Sequence, residues 1–273
     1  MPIPTPVTPA GAAGLAAILA DPERALLAFD FDGVIAPIVP DPEQSRPHPR
    51  ILPALARLAP RVGAIAVVTG RPASTAVEYG GFATAEGLDR LVVFGHYGRE
   101  RWQAGELTAP PPHPGVVAAR ADLPAFLSDN GAADAWIEDK GDAVAVHTRR
   151  CDDPQGTFDR LRAPLAAFAD RVGLALEPGR LVLELRPAGS DKGTTLRAYA
   201  AEVDASAVAY TGDDLGDLPA FDAVQALRAD GVPGLTVASG STEVAEIARR
   251  ADLVVDGPAG VADLLDALAD ELG

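Results

Sequence analysis

The strongest constraint on this fold is a regular alternation of short apolar runs with helix-period segments. Residues 25–31 (ALLAFDF), 63–69 (GAIAVVT) and 91–94 (LVVF) are apolar runs bounded by turn residues, and helix-period stretches at 48–60 and 72–79 separate them. Such alternation is the mark of parallel strands joined by crossover helices. From about Glu106 the pattern changes. A proline cluster (APPPHPG) leads to a helix at 114–129, strands near 135–138, 143–148, 173–176 and 181–185, and a helix at 156–170. Strands arriving in hairpin-like pairs describe a separate α+β lobe. After Pro187 the alternation resumes, with a helix from 191, strands at 206–211, 234–238 and 252–255, and helices at 217–228, 242–249 and 259–271.

The expected fold class is therefore α/β: a doubly wound, parallel-sheet (Rossmann-like) core with an inserted α+β cap domain. The boundaries read as a flexible tail at 1–14, the first part of the core at 15–104, the insert at 105–186 and the second part of the core at 187–273. A length of 273 residues suits a core plus an insert.

The formal charge of −16 argues against nucleic acid and anionic membrane surfaces as partners, because both require a basic footprint. The start of the chain has no basic segment, and its apolar stretch is too short and alanine-rich to span a bilayer. One cysteine, Cys151, excludes an intramolecular disulfide and fits a reducing compartment. A cytoplasmic monomer is expected.

Open parallel sheets bind ligands beyond the carboxyl ends of their strands. Asp30 and Asp32 stand there on the first strand, on one side of it by the period of two, and Gly33 lets the chain turn away. Alone, such a pair reads equally as a capped turn. The second strand ends in VVTGR, which adds the Thr69 hydroxyl, and the exit TGDDLGD adds Asp213, Asp214 and Asp217. Adjacent carboxylates repel, and a divalent cation with oxygen ligands offsets them. The chain has two lysines, Lys140 and Lys192, each in an Asp-Lys-Gly turn. With arginine doing the routine surface work, each invites a specific role as a compact charge.

The order Asp-x-Asp, Thr, Lys, Asp-Asp, each at a strand end or helix start, resembles the haloacid dehalogenase superfamily of phosphatases. The stretches DFDGVIAPIVPDP, VVTGR, GHYGRERW, WIEDKGDAVAVHTRR and ELRPAGSDKG are similar to trehalose-6-phosphate phosphatases, from about Ala25 to Asp256. The resemblance implies a nucleophile at Asp30, which forms an aspartyl-phosphate, and an acid and base at Asp32. It implies phosphoryl-oxygen binding by Thr69 and Lys192, and Mg²⁺ held by Asp30, the Asp32 carbonyl and Asp213, with Asp214 or Asp217 behind. It also implies a small-molecule sugar phosphate as substrate and a functional link to a trehalose-6-phosphate synthase. Related sugar phosphates, of the sucrose or mannosylglycerate type, are the alternative, and a non-catalytic sensor is a more remote one.

Residue spacing in the insert is compatible with sugar binding. Glu138 with Lys140, His147 with Arg149, and Glu184 with Arg186 are each one residue apart, so in strands each pair projects to one face. Carboxylates with cations can bind sugar hydroxyls, or form a surface ion-pair lattice. Arg71 and Arg101 either reach the cleft or solvate helix and loop ends, and Trp102 and Trp136 read as core or hinge anchors. The sequence departs from the family pattern at Val34, where many relatives have threonine, and at Gly216 and Leu218, which remove a hydroxyl and a carboxylate near the metal.

Overall fold

Alternate residues of each core strand face opposite sides of the sheet, and both sides are apolar, which requires helices on both. The structure, a computed structural model, describes residues 2–240 and 245–273. In chain order the first core part runs α1 (Pro9–Ala20), β1 (Ala25–Phe29), α2 (Ile51–Leu58), β2 (Ala64–Val68), α3 (Ala73–Gly80), β3 (Val92–Gly95), β4 (Glu100–Gln103) and β5 (Glu106–Thr108). The insert contributes α4 (Pro114–Asp129), β6 (Trp136–Asp139), β7 (Val144–His147), α5 (Pro154–Val172), β8 (Ala175–Gly179) and β9 (Val182–Arg186). The chain then continues through α6 (Lys192–Glu202), β10 (Ala207–Gly212), α7 (Leu218–Ala229), β11 (Gly234–Ser239), α8 (Ala245–Arg250), β12 (Leu253–Val255) and α9 (Gly257–Glu271). Of the helix expected at 242–249, residues 242–244 lie outside the described residues.

Two compact units result, Met1–Thr108 with Asp191–Gly273, and Ala109–Ser190. The first holds a sheet ordered β12-β11-β10-β1-β2-β3-β4-β5, parallel through β3 and antiparallel beyond. Leu27, Phe29, Ile65 and Val67 pack with residues of α2, α3 and α9 on one face. Leu26, Ala28, Val208 and Tyr210 pack with α6 and α7 on the other. The fold is the expected doubly wound α/β sheet, with one addition: β4 and β5 extend the edge as an antiparallel hairpin. The turn at Ala104 and Gly105, both at positive φ, folds β5 back on β4. β5 is only three residues long, Glu-Leu-Thr, so its sequence carries no strand signal.

The amino-terminal stretch also differs from expectation. Helix α1 begins at Pro9, inside the residues read as a tail. Thr8 caps it, accepting from the Gly11 amide, and Gly14 packs so closely on β11 that an added Cβ would stand 1.8 Å from the Gly234 carbonyl oxygen. The tether is Asp252, which is buried. Its carboxylate accepts from the Thr8 hydroxyl, Arg228, and both the amide and hydroxyl of Thr236 at 2.8 Å. Burial raises the Asp252 pKa, but these donors outweigh it and hold the group below the usual carboxylate value. Its contribution to stability is present above the unfolded pKa and is lost as pH falls through the lower folded value.

The second unit packs α4 and α5 on one face of a four-stranded antiparallel sheet ordered β6-β7-β9-β8. Val144, Val146, Leu183 and Leu185 supply that apolar face. Removing the Asp252 clip takes the counter-charge from the largely buried Arg228 and the acceptor from Thr8 and Thr236, so Asp252→Ala is expected to cost about 3 kcal/mol, read by urea denaturation.

Candidate active site

Parallel pairing of β1 with β10 matches Phe29 to Thr211, so the residues following each strand emerge side by side. Asp30 leaves β1 with its amide donating to the Thr211 carbonyl at 2.9 Å, and Asp213 follows β10 directly. Lys192 is the first residue of α6, whose start is fixed by a capping box between Asp191 and Thr194. Its ammonium lies 2.8 Å from Asp30 Oδ2 and 2.7 Å from Asp217 Oδ1, with all three groups buried. Three expected site residues, Asp30, Lys192 and Asp213, are thus brought together. Asp214 is not: its carboxylate caps the short turn after it, accepting from the Gly216 amide at 2.8 Å. The third acid of the cluster is instead Asp217, which that turn folds back toward the strand ends.

Carboxylate oxygens of Asp30, Asp213 and Asp217 lie within 4.8 Å of one another. Asp217 has little room for a further ligand. Its Oδ1 accepts from Lys192 and the Tyr210 hydroxyl, and its Oδ2 from the Asp213 and Asp214 amides at 2.9 and 3.2 Å. Asp213 is the opposite case, for among the described residues its buried Oδ1 has no hydrogen-bond partner. Burial first, then the charges of Asp30, Asp217 and Asp214, push the Asp213 pKa up to about 9. Asp30 is pushed up to about 8, by burial against the opposing pull of Lys192, with Asp217 and Asp214 adding to the rise. Three buried carboxylates against one ammonium, with one oxygen unsatisfied, fit a hard divalent cation held by Asp30 and Asp213.

Gly33 sits at φ +74, and a Cβ there would stand 2.1 Å from Asp213 Oδ2, so only glycine allows this approach. The Gly33 carbonyl accepts from the buried Ser239 hydroxyl at 2.6 Å, which pins the turn to the end of β11. Asp32 faces a different environment. Arg71 grips it by two hydrogen bonds, at 2.6 Å from Nε and 2.7 Å from Nη2, and Ser45 Oγ donates to it at 3.1 Å. Arg71 is therefore an Asp32 partner here, stacked near the rings of Phe31 and Tyr79. Thr69 is buried at the end of β2 and accepts from the Arg71 amide at 3.1 Å. Arg101 pairs with Glu202 of α6, and Trp102 packs partly buried against the core.

In the second unit, the sheet register aligns Glu138 with Ala145 and Ala145 with Glu184. These residues alternate with the apolar ones, so the face away from α4 and α5 is polar. Lys140 Nζ lies 2.6 Å from Glu184 Oε2, and His147 Nε2 lies 2.7 Å from Glu138 Oε2. Arg149 departs from the expected alternation because β7 ends at His147 and Arg149 lies in the following turn, exposed. The neighbouring Arg150 stands over the Trp136 ring, which also stacks on His147 at 4.6 Å between centroids. Trp136 is 44% exposed and so is no core anchor. Sequence reasoning passed over Ser45, Ser239, Arg150 and Tyr210, and only Tyr210 carried a signal: a phenol inside an otherwise apolar strand.

A family profile described as trehalose-phosphatase matches residues 130–257. The trehalose-phosphate phosphatase of Mycolicibacterium paratuberculosis is 32% identical over 263 residues, covering 89% of this chain and 62% of that protein. The chain is thus similar to trehalose-phosphatases, by the profile over residues 130–257 and by sequence over most of its length. It spans about three fifths of the length of the curated relatives it matches. Among solved structures, a trehalose-6-phosphate phosphatase of Aspergillus fumigatus superposes with a TM-score of 0.69 at 23% identity, over 98% of this chain and 99% of that one. A haloacid dehalogenase-like hydrolase of Bacteroides thetaiotaomicron gives 0.63 at 15% identity, over 89% and 98%. At such identities these likenesses establish the fold, which is haloacid dehalogenase-like. No helix among the described residues is long and apolar enough to cross a membrane.

The raised pKa values of Asp30 and Asp213 set the sign of a pH effect. Each group takes up a proton on folding between its unfolded value, 3.8, and its folded one, about 8 or about 9. The metal-free protein is therefore expected to lose stability as pH rises through that window. Thermal melts in chelator from about pH 5 to about pH 9 should show this decline, Asp213→Asn should flatten it, and added Mg²⁺ should restore stability at the alkaline end.

Proposed function

We propose that this chain is a Mg²⁺-dependent phosphatase that hydrolyses trehalose 6-phosphate to trehalose and phosphate through an aspartyl-phosphate. The observation that carries the reading is the meeting of Asp30, Asp213 and Lys192 at adjacent strand and helix ends, in a chain related to trehalose-phosphate phosphatases. Asp30 attacks phosphorus, and the bond from phosphorus to the sugar oxygen breaks. Asp32, after leaving the Arg71 fork, gives that oxygen a proton. It then takes a proton from the water that hydrolyses the aspartyl-phosphate. Thr69 and Lys192 bind the phosphoryl oxygens as their charge redistributes. Mg²⁺, held by Asp30, Asp213 and the Asp32 carbonyl, would supply the charge that lets a carboxylate approach a phosphate dianion.

Sugar recognition falls to the polar sheet face of the second unit. Glu138 and Glu184 offer acceptors and Lys140 a donor for hydroxyls, and His147 and Arg149 extend the set. Glu184 is already paired with Lys140 and Glu138 hydrogen-bonded to His147, which holds their rotamers before any sugar arrives. The reading implies a synthase upstream that makes the sugar phosphate. A single cysteine and a net charge of −16 suit a monomeric, cytoplasmic protein.

Phosphate release from trehalose 6-phosphate, with and without Mg²⁺, tests the proposal. Turnover should require the metal and fall more than about a thousandfold in Asp30→Asn. Thr69→Ala should lower kcat by roughly a hundredfold and leave activity detectable. Glu138→Gln should instead raise KM by about tenfold with kcat little changed. Equal rates across unrelated sugar phosphates, or across sucrose and mannosylglycerate phosphates, would overturn the trehalose assignment. Absence of turnover with every sugar phosphate would favour a binding protein.

A further inference from the structure

We infer that Tyr210 is a positioning residue for Lys192, acting through Asp217. This rests on the proposed role of Lys192 as a phosphoryl-oxygen ligand and adds a residue that sets where its ammonium stands. Tyr210 lies within β10, paired with Ala28 of β1, and is fully buried. Its ring is held edge-on to Phe221 at 6.2 Å between centroids, on the face covered by α6 and α7. Phenylalanine would fill the same space. The hydroxyl, however, donates to Asp217 Oδ1 at 2.6 Å, the same oxygen that accepts from Lys192 at 2.7 Å.

A buried phenol is costly without a partner, so its placement needs a reason beyond packing. The geometry supplies one. Lys192 divides its ammonium between Asp217 Oδ1 and Asp30 Oδ2, at nearly equal distances. Asp217 cannot swing to follow it, because the Asp213 and Asp214 amides hold the other oxygen. The Tyr210 hydroxyl occupies part of the acceptor capacity of Oδ1 and draws off some of its charge, which weakens the hold of Asp217 on the ammonium. Without that hydroxyl, Lys192 is drawn toward Asp217 and away from the side of Asp30 on which a phosphoryl group would bind. Burial, together with the charges of Asp217 and Asp30, raises the Tyr210 pKa well above 10.0, so the hydroxyl remains a donor.

The composition makes this directly observable, since Lys192 shares the chain with only one other lysine. Selective ¹³C and ¹⁵N lysine labelling gives two side-chain signals, assigned by loss of one in Lys140→Arg. In Tyr210→Phe the Lys192 signal is expected to move and the Lys140 signal to stay. Titration with inorganic phosphate in excess Mg²⁺ should show binding to Tyr210→Phe weakened roughly tenfold. The same factor should recur when Tyr210→Phe is made on a Thr69→Ala background, and vanish on a Lys192→Gln background. If Lys192→Gln fails to fold, the labelled spectra and the Thr69 cycle still decide. An unmoved Lys192 signal, or phosphate affinity equal to wild type, would overturn the inference. Failure to hydrolyse trehalose 6-phosphate, with these shifts intact, would count against the substrate and not against Tyr210.

Discussion

The ammonium of Lys192, 2.8 Å from Asp30 and 2.7 Å from Asp217, joins three segments that lie far apart in the chain. Each partner is committed elsewhere. Asp30 Oδ1 accepts from the Phe31 amide at 2.7 Å, and Asp217 fixes the peptide that carries Asp213. Removing this one charge would leave three buried carboxylates facing each other with no internal counter-ion. The raised pKa values of Asp30 and Asp213, with Lys192 in place, show that one ammonium is not enough. That residual imbalance makes the strand ends a place that calls for further positive charge.

The sequence discloses the layout of the core well and its fine contacts poorly, for a physical reason. Apolar runs must end where the sheet ends, so charged residues immediately after them stand at the carboxyl edge, and Asp30, Thr69 and Asp213 were legible on that ground. Which acid of TGDDLGD turns inward depends on a single short turn, Leu215–Asp217, that composition does not reveal. Asp214 caps that turn and Asp217 is brought back by it. The Arg71 fork on Asp32 was hidden likewise, since a side chain of that length reaches several partners. Short elements escape for want of periodicity, as β5 does, and the first residues of α1 were obscured by the prolines around them.

The inserted unit follows a simpler rule. Its strands alternate, so each polar residue takes the face opposite its apolar neighbours, and the register through Ala145 sets Glu138 and Glu184 on one face. The rule stops where the strand stops. Arg149 lies beyond it, while Arg150 and the exposed Trp136 form a stack with His147 that no spacing rule would give. The result is a surface with a buttressed Lys140–Glu184 pair beside an aromatic plane.

Two aspartates show how partner count, and not burial alone, decides which way the pKa of a buried acid moves. Asp252 and Asp213 are 2% and 4% exposed, so both lose their water. Asp252 gains donors from Thr8, Thr236 and Arg228, and its pKa falls despite burial. Asp213 keeps an oxygen without a partner beside other carboxylates, and its pKa rises to about 9. A satisfied carboxylate has nothing further to bind and serves as a clip between helix and sheet. An unsatisfied one, held in place by Gly33 and the Asp217 brace, stores a requirement for positive charge that a proton or a bound cation can meet. The same sheet therefore carries a satisfied acid ahead of β12 and an unsatisfied one after β10, and the difference lies in how many hydrogen-bond donors the neighbouring chain segments supply.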